Sequence, residues 1–102
     1  MGYETTHSIS IVKGDASKIN DVIDRAGQVS RYGRDVENTS IKWYECEKDM
    51  IEVSKEFPDL TIMVHGVGEV YDDTWKLYVK NGKSVTCSGR IVFDEFKEED
   101  LI

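Results

Sequence analysis

Few side chains in this sequence are suited to bond-making chemistry. The histidines are His7 and His65 and the cysteines are Cys46 and Cys87, with no C-x-x-C pair and no zinc-ligand spacing among them. Both histidines fall in alternating, strand-like stretches, where such a ring packs as a side chain rather than acting as a base. Cys87 also lies in an alternating stretch and reads as a small buried hydrophobe. No nucleophile–base–acid set can be assembled, and carboxylates of ordinary pKa do no acid–base work without a cleft that perturbs them. The expectation is a protein that is not an enzyme, with no catalytic residue, no metal and no cofactor.

Two segments have ligand-binding character. The run Gly66 to Asp73 (GVGEVYDD) opens like a phosphate loop, but no third glycine, lysine or helix start follows it. Its acids Glu69, Asp72 and Asp73 also lack the regular spacing of a calcium loop. Arg31, Tyr32 and Arg34 form a small basic cluster that can pair with phosphate and stack on a base. They are the expected ligand-binding residues if the partner is a small anionic molecule.

Charge is the more informative feature. Thirteen Lys and Arg stand against 20 Asp and Glu, for a net charge of -7. A field of that sign repels the phosphates of nucleic acid and anionic membrane. Residues 45–59 hold six acids, among them Glu52 and Glu56, against two lysines. Glu69, Asp72 and Asp73 follow, and the C-terminal stretch adds Asp94, Glu95, Glu98, Glu99 and Asp100. These acids are the expected partner-binding surface: they would meet a basic host protein, with no direct contact to nucleic acid and none to membrane. Trp43, Tyr44, Tyr71, Trp75 and Tyr78 are candidate aromatic anchors for such an interface.

The elements that must carry these residues are legible in outline. Residues 6–12 alternate, with His7, Ile9 and Ile11 on one face, and predict a half-buried strand. Gly14 turns the chain and Asp15 can cap a helix whose stripe is Ile19, Val22, Ile23 and Ala26, with Gly27 expected at its C-terminal cap. Residues 28–40 read as a loop or as a short strand from Val29 to Tyr32, and residues 41–44 (IKWY) as a β-prone segment. A second helix is expected from Cys46 to Phe57, facing inward with Met50, Val53 and Phe57, with Pro58 as its stop. Leu60 to Val67 is apolar on both faces and predicts a central strand, with a bulge or bend at Gly66 and Gly68. Trp75, Leu77 and Val79 alternate into Asn81-Gly82, a type I′ hairpin signal, and the return strand runs through Val85, Cys87, Gly89, Ile91 and Phe93.

The order β-α-β(β)-α-β-β-β predicts a single α+β domain over residues 1–102, with a short acidic C-terminal tail. Two helices would cover one face of a mainly antiparallel sheet, and the ferredoxin-like split β-α-β is the nearest common plan. The length of 102 residues suits one compact domain. The N-terminus (MGYETTHSIS) lacks the basic start and apolar run of a signal peptide, so a reduced, cytoplasmic setting is expected.

The block from Trp43 to Lys83 resembles the ferredoxin-like domain of YubB-type proteins of phages, plasmids and related mobile elements. Carrying the resemblance are Trp43, the helix end Ser54-Lys55-Glu56-Phe57-Pro58, then Glu69, Asp73, Trp75 and Tyr78, and finally Asn81-Gly82-Lys83. The N-terminal part is shorter than that family's. The resemblance implies the fold and a mobile-element origin rather than an activity. The leading expectation is a phage-encoded binding protein, acting in the host cytoplasm, that inhibits a host nucleic-acid-handling or defence protein such as a CRISPR nuclease through its acidic surface. The alternatives are a binder that sequesters a nucleotide signal and an oligomeric regulatory module paired through an edge strand.

Overall fold

The computed structural model describes residues 2–70, 73–89 and 97–101. Strand β1 (Thr5–Lys13) buries His7 and Ile9 and turns Thr6, Ser8 and Ser10 to the opposite face, as its alternation requires. After Gly14 the Asp15 carboxylate accepts the backbone N–H of Ser17 at 3.0 Å and caps a short 3-10 turn, Ala16–Lys18. This turn runs directly into helix α1 (Ile19–Ser30), whose Val22, Ile23 and Ala26 are buried.

Gly27 is not the cap that the sequence predicts. It lies inside α1, where a Cβ would sit 2.5 Å from the carbonyl oxygen of Gly33. The returning chain crosses the helix so closely that only a glycine fits. Arg31 ends the helix instead, in the left-handed region at φ 71°. Residues 28–40 are therefore neither plain loop nor strand: Val29 extends the apolar stripe by one more turn, and a 3-10 turn (Gly33–Val36) then buries Val36.

Of the β-prone residues 41–44 only Ile41 pairs, with Ser40 before it, as strand β2 (Ser40–Ile41). Beyond it Trp43 is drawn into the core and leads into helix α2 (Cys46–Glu56), which buries Met50 and Val53 and stops before Pro58. Strands β3 (Thr61–Gly68), β4 (Thr74–Lys80) and β5 (Lys83–Ser88) complete the sheet. Asn81 (φ 44°) and Gly82 (φ 83°) make the expected type I′ hairpin between β4 and β5.

The five strands lie in the order β2-β1-β3-β4-β5, and every neighbouring pair is antiparallel. The class is α+β, with β3 central. The β-α-β-β-α-β order of a ferredoxin-like plan is not what is seen, because the chain returns from α1 to a two-residue strand on the outer edge of β1. Gly66 makes no bulge. It pairs in register between His7 and Trp75, and a Cβ there would meet the Trp75 ring at 2.2 Å. The register irregularity falls between Ile11 and Lys13 instead.

Both helices cover one face, so a single core joins α1, α2 and the inward residues of the sheet, among them Ile9, Ile62, Val64, Leu77 and Val79. Buried apolar area of this kind is the main stabilising contribution, about 25 cal/mol per Å². Cys87 is exposed on the opposite face, contrary to its expected burial, since β4 pairs it with Lys76 and not with a core residue. The expected continuation of that strand through Ile91 and Phe93 lies outside the described residues. No helix among the described residues is long and apolar enough to cross a membrane.

Candidate ligand-binding cleft

The segment after β2 alternates once more before α2 begins. Ile41 and Trp43 go inward, so Lys42 and Tyr44 must point out. The Trp43 indole N–H donates to Asp49 at 2.8 Å, which ties this turn to the first turn of α2 and brings Lys48 alongside. On the other side, the Tyr32 hydroxyl donates to the Lys42 carbonyl at 2.8 Å and draws the end of α1 against the same turn. Between them lies a cleft of about 670 Å³ lined by Arg31, Tyr32, Lys42, Tyr44, Glu45, Lys48 and Asp49, with Val29, Ser30 and Trp43.

Three cations and two phenol rings therefore share one concavity of ordinary ligand size. Of its two carboxylates, Asp49 is engaged by the indole. Tyr44 is 68% exposed, yet its hydroxyl accepts the Tyr3 backbone N–H at 2.7 Å, so the ring is held at one end. Such a site can pair an anionic group with Arg31, Lys42 and Lys48 while presenting flat aromatic faces.

Of the ligand residues expected from sequence, Arg31 and Tyr32 reach this cleft and Arg34 does not. The Arg34 guanidinium pairs with Asp24 on the outer side of α1. Sequence reasoning missed Lys42 and Lys48, and placed Tyr44 only among the aromatic anchors of a protein interface. The one available signal was the buried Trp43, whose inward direction forces its neighbours outward.

Four of the acids expected to meet a partner are engaged within the chain. Glu52 pairs with Lys55 at 3.1 Å and Glu56 with Arg25 of α1 at 2.7 Å. Glu69 accepts the Glu4 backbone N–H, and Asp73 accepts the Tyr3 hydroxyl at 2.5 Å, while Val70 N–H donates to that hydroxyl at 3.1 Å. Glu69 and Asp73 thus fasten the N-terminal segment to the β3–β4 turn. The hydrogen bond to Asp73 raises the Tyr3 pKa above its ordinary value. Glu98 and Glu99 are exposed in a 3-10 turn, Glu98–Asp100; Asp72, Asp94, Glu95 and the anchor Tyr71 lie outside the described residues.

The chain matches no family model, no curated protein and no solved structure.

Of the histidines and cysteines, His7 and Cys46 are in the core. His7 is buried edge-on to Trp43 and Trp75, with ring centroids 5.0 and 5.7 Å away. Burial pushes its pKa down to about 4, with only a backbone contact at Thr5 opposing it. Cys46 is buried, and desolvation with Asp49 and Glu47 nearby pushes its thiol up to about 12. Neither group is ionised near neutral pH, so Cys46 is no thiolate nucleophile. His65 sits half-buried on the sheet face opposite the helices, with Nε2 2.9 Å from the Thr74 hydroxyl.

Proposed function

We propose that this protein is a non-enzymatic binding module that holds a small anionic, aromatic molecule of the nucleotide class in the cleft between the end of α1 and the start of α2. The observation that carries this reading is the meeting of Arg31, Lys42 and Lys48 with Tyr32 and Tyr44 around one concavity, in a chain of net charge -7. Arg31 adds to it: a non-glycine residue in the left-handed region costs on the order of 1 kcal/mol, and such costs persist at ligand clamps. A module that binds a nucleotide without turning it over removes it from circulation, which is the work of a sponge for a nucleotide signal. The YubB-type likeness, the phage or plasmid origin and a place in the host cytoplasm belong to the same reading, on the sequence motifs alone.

One observation favours a second reading, inhibition of a basic host nucleic-acid-handling or defence protein such as a CRISPR nuclease. Glu45, Asp49, Glu52 and Glu56 recur at helical spacing along α2 and its N-terminal flank, with Glu52 and Glu56 exposed.

A thermal-shift panel of nucleotides separates the two. Ligand at a hundred times its Kd stabilises by about 2.7 kcal/mol, which for a domain of this size raises Tm by on the order of 10 °C. Arg31→Gly should abolish that rise while leaving the fold intact, since glycine accepts the same backbone conformation. Arg34→Ala should leave the rise unchanged. No shift for any nucleotide, together with salt-sensitive capture of a basic host protein that Glu52→Lys and Glu56→Lys weaken, would replace the first reading by the second.

A further inference from the structure

The sheet face turned away from the helices carries a charge opposite to that of the whole chain. The five strands contain no acidic residue at all. Strand pairing instead places Lys76, Tyr78 and Lys80 of β4 beside Cys87, Val85 and Lys83 of β5, all on this open side. His65 and Met63 of β3 stand next to Lys76 and Tyr78 in the same two rows. Lys76, Lys80 and Lys83 are exposed, while Met63, His65 and Tyr78 are only half-buried. Val67 and Val85 add apolar surface, 48% and 57% exposed. Nothing among the described residues covers this face.

Its relief is also suited to flat rings. One groove of about 290 Å³ is lined by His65, Thr74, Lys76 and Cys87. Another of about 200 Å³ is lined by Thr61, Tyr78, Lys80, Lys83 and Val85. Along β4, Lys76 and Lys80 are four residues apart, roughly 13 Å at the rise of a strand, with the Tyr78 ring midway. A cationic antiparallel sheet face that no described residue covers, with a central aromatic, is the arrangement on which unpaired bases stack while lysines follow the backbone.

We propose that this open sheet face binds single-stranded nucleic acid, with Lys76, Lys80 and Lys83 on the phosphates and Tyr78 under a base. Charge complementarity selects the occupant, since the described residues of the face offer cations and no acid. The proposal departs from the expectation drawn from the whole-chain charge, and the geometry explains why. Among the described residues the strands carry no acid, and at physiological ionic strength a charge is screened over about 8 Å. The face is distinct from the cleft, so the proposal stands independently of the nucleotide reading.

The test is fluorescence anisotropy of labelled fifteen-residue oligo-dT and oligo-U with the full chain, from about 50 to 200 mM salt. Saturable binding is expected, with a log–log salt slope of about -2 for three lysines on a single strand. The triple variant Lys76→Gln, Lys80→Gln, Lys83→Gln should lose affinity tenfold or more and flatten that slope. Tyr78→Leu should lose about 5- to 100-fold with the slope unchanged, as expected for stacking. These side chains lie outside the core, and an unchanged Tm in each variant confirms the fold. Binding of either oligonucleotide with these losses supports the proposal, and the two arms show whether the DNA or the RNA strand is preferred. Absence of binding to both, or binding that the triple lysine variant leaves intact, overturns it. Loss with the lysines but not with Tyr78 overturns the stacking role. Self-association that the triple variant abolishes, with no oligonucleotide bound, would assign the face to a second copy of the chain.

Discussion

At the scale of single residues, burial decides which groups retain chemistry. His7 is neutral in the folded chain because its ring is enclosed by Trp43, Trp75 and the sheet, with its pKa pushed down to about 4. In the unfolded chain the ring titrates near 6.5. As pH falls from about 6.5 to 4, the unfolded chain takes up a proton that the folded chain refuses, so stability must fall across that window and level off below it. The loss should reach on the order of 3 kcal/mol. Chemical denaturation at several pH values checks this, and His7→Leu should flatten the window. An unchanged slope in that variant would assign the effect to other groups. That His7 packs in the sheet was legible from its place in the alternation. That Cys87 is exposed was not, because alternation gives two faces but does not say which one the helices cover.

At the scale of elements, tertiary contact overrode local signals in several places. The stripe Ile19, Val22, Ile23 and Ala26 identified α1, and the Asn81-Gly82 pair identified the β4–β5 hairpin. Gly27 looked like a cap because glycine commonly ends helices, yet its role is to admit the backbone of Gly33. Gly66 looked like a bulge, yet it makes room for Trp75. A glycine that serves a neighbour distant in sequence leaves no local pattern to read. A direct prediction follows for Gly27→Ala. On helix propensity alone it would stabilise α1 by about 1 kcal/mol. Because backbone atoms of Gly33 stand in the way, it should instead destabilise the protein by about 2 kcal/mol, lowering Tm by roughly 10 °C. A raised Tm would show that the crossing can relax without cost.

At the scale of the whole molecule, charge is sorted by layer. Among the described residues the strands carry no acid, while α2 and its flanks carry six. A net charge describes the far field only and hides both the basic cleft and the cationic sheet face. For that reason the cleft was only partly legible: Arg31 and Tyr32 stood out as a cluster, whereas Lys42, Tyr44 and Lys48 join them only when Trp43 buries and Tyr32 reaches the Lys42 carbonyl. Arg34 pairs instead with Asp24.

The most direct test of the cleft as a ligand site is a titration of the isotopically labelled protein with a nucleotide, followed by backbone amide chemical shifts. The predicted result is saturable shifts confined to residues 29–32 and 42–49, with Arg34 and the strands unmoved. Shifts absent from both segments at millimolar nucleotide, or centred on β4 and β5 instead, would contradict the assignment of this cleft as the binding site.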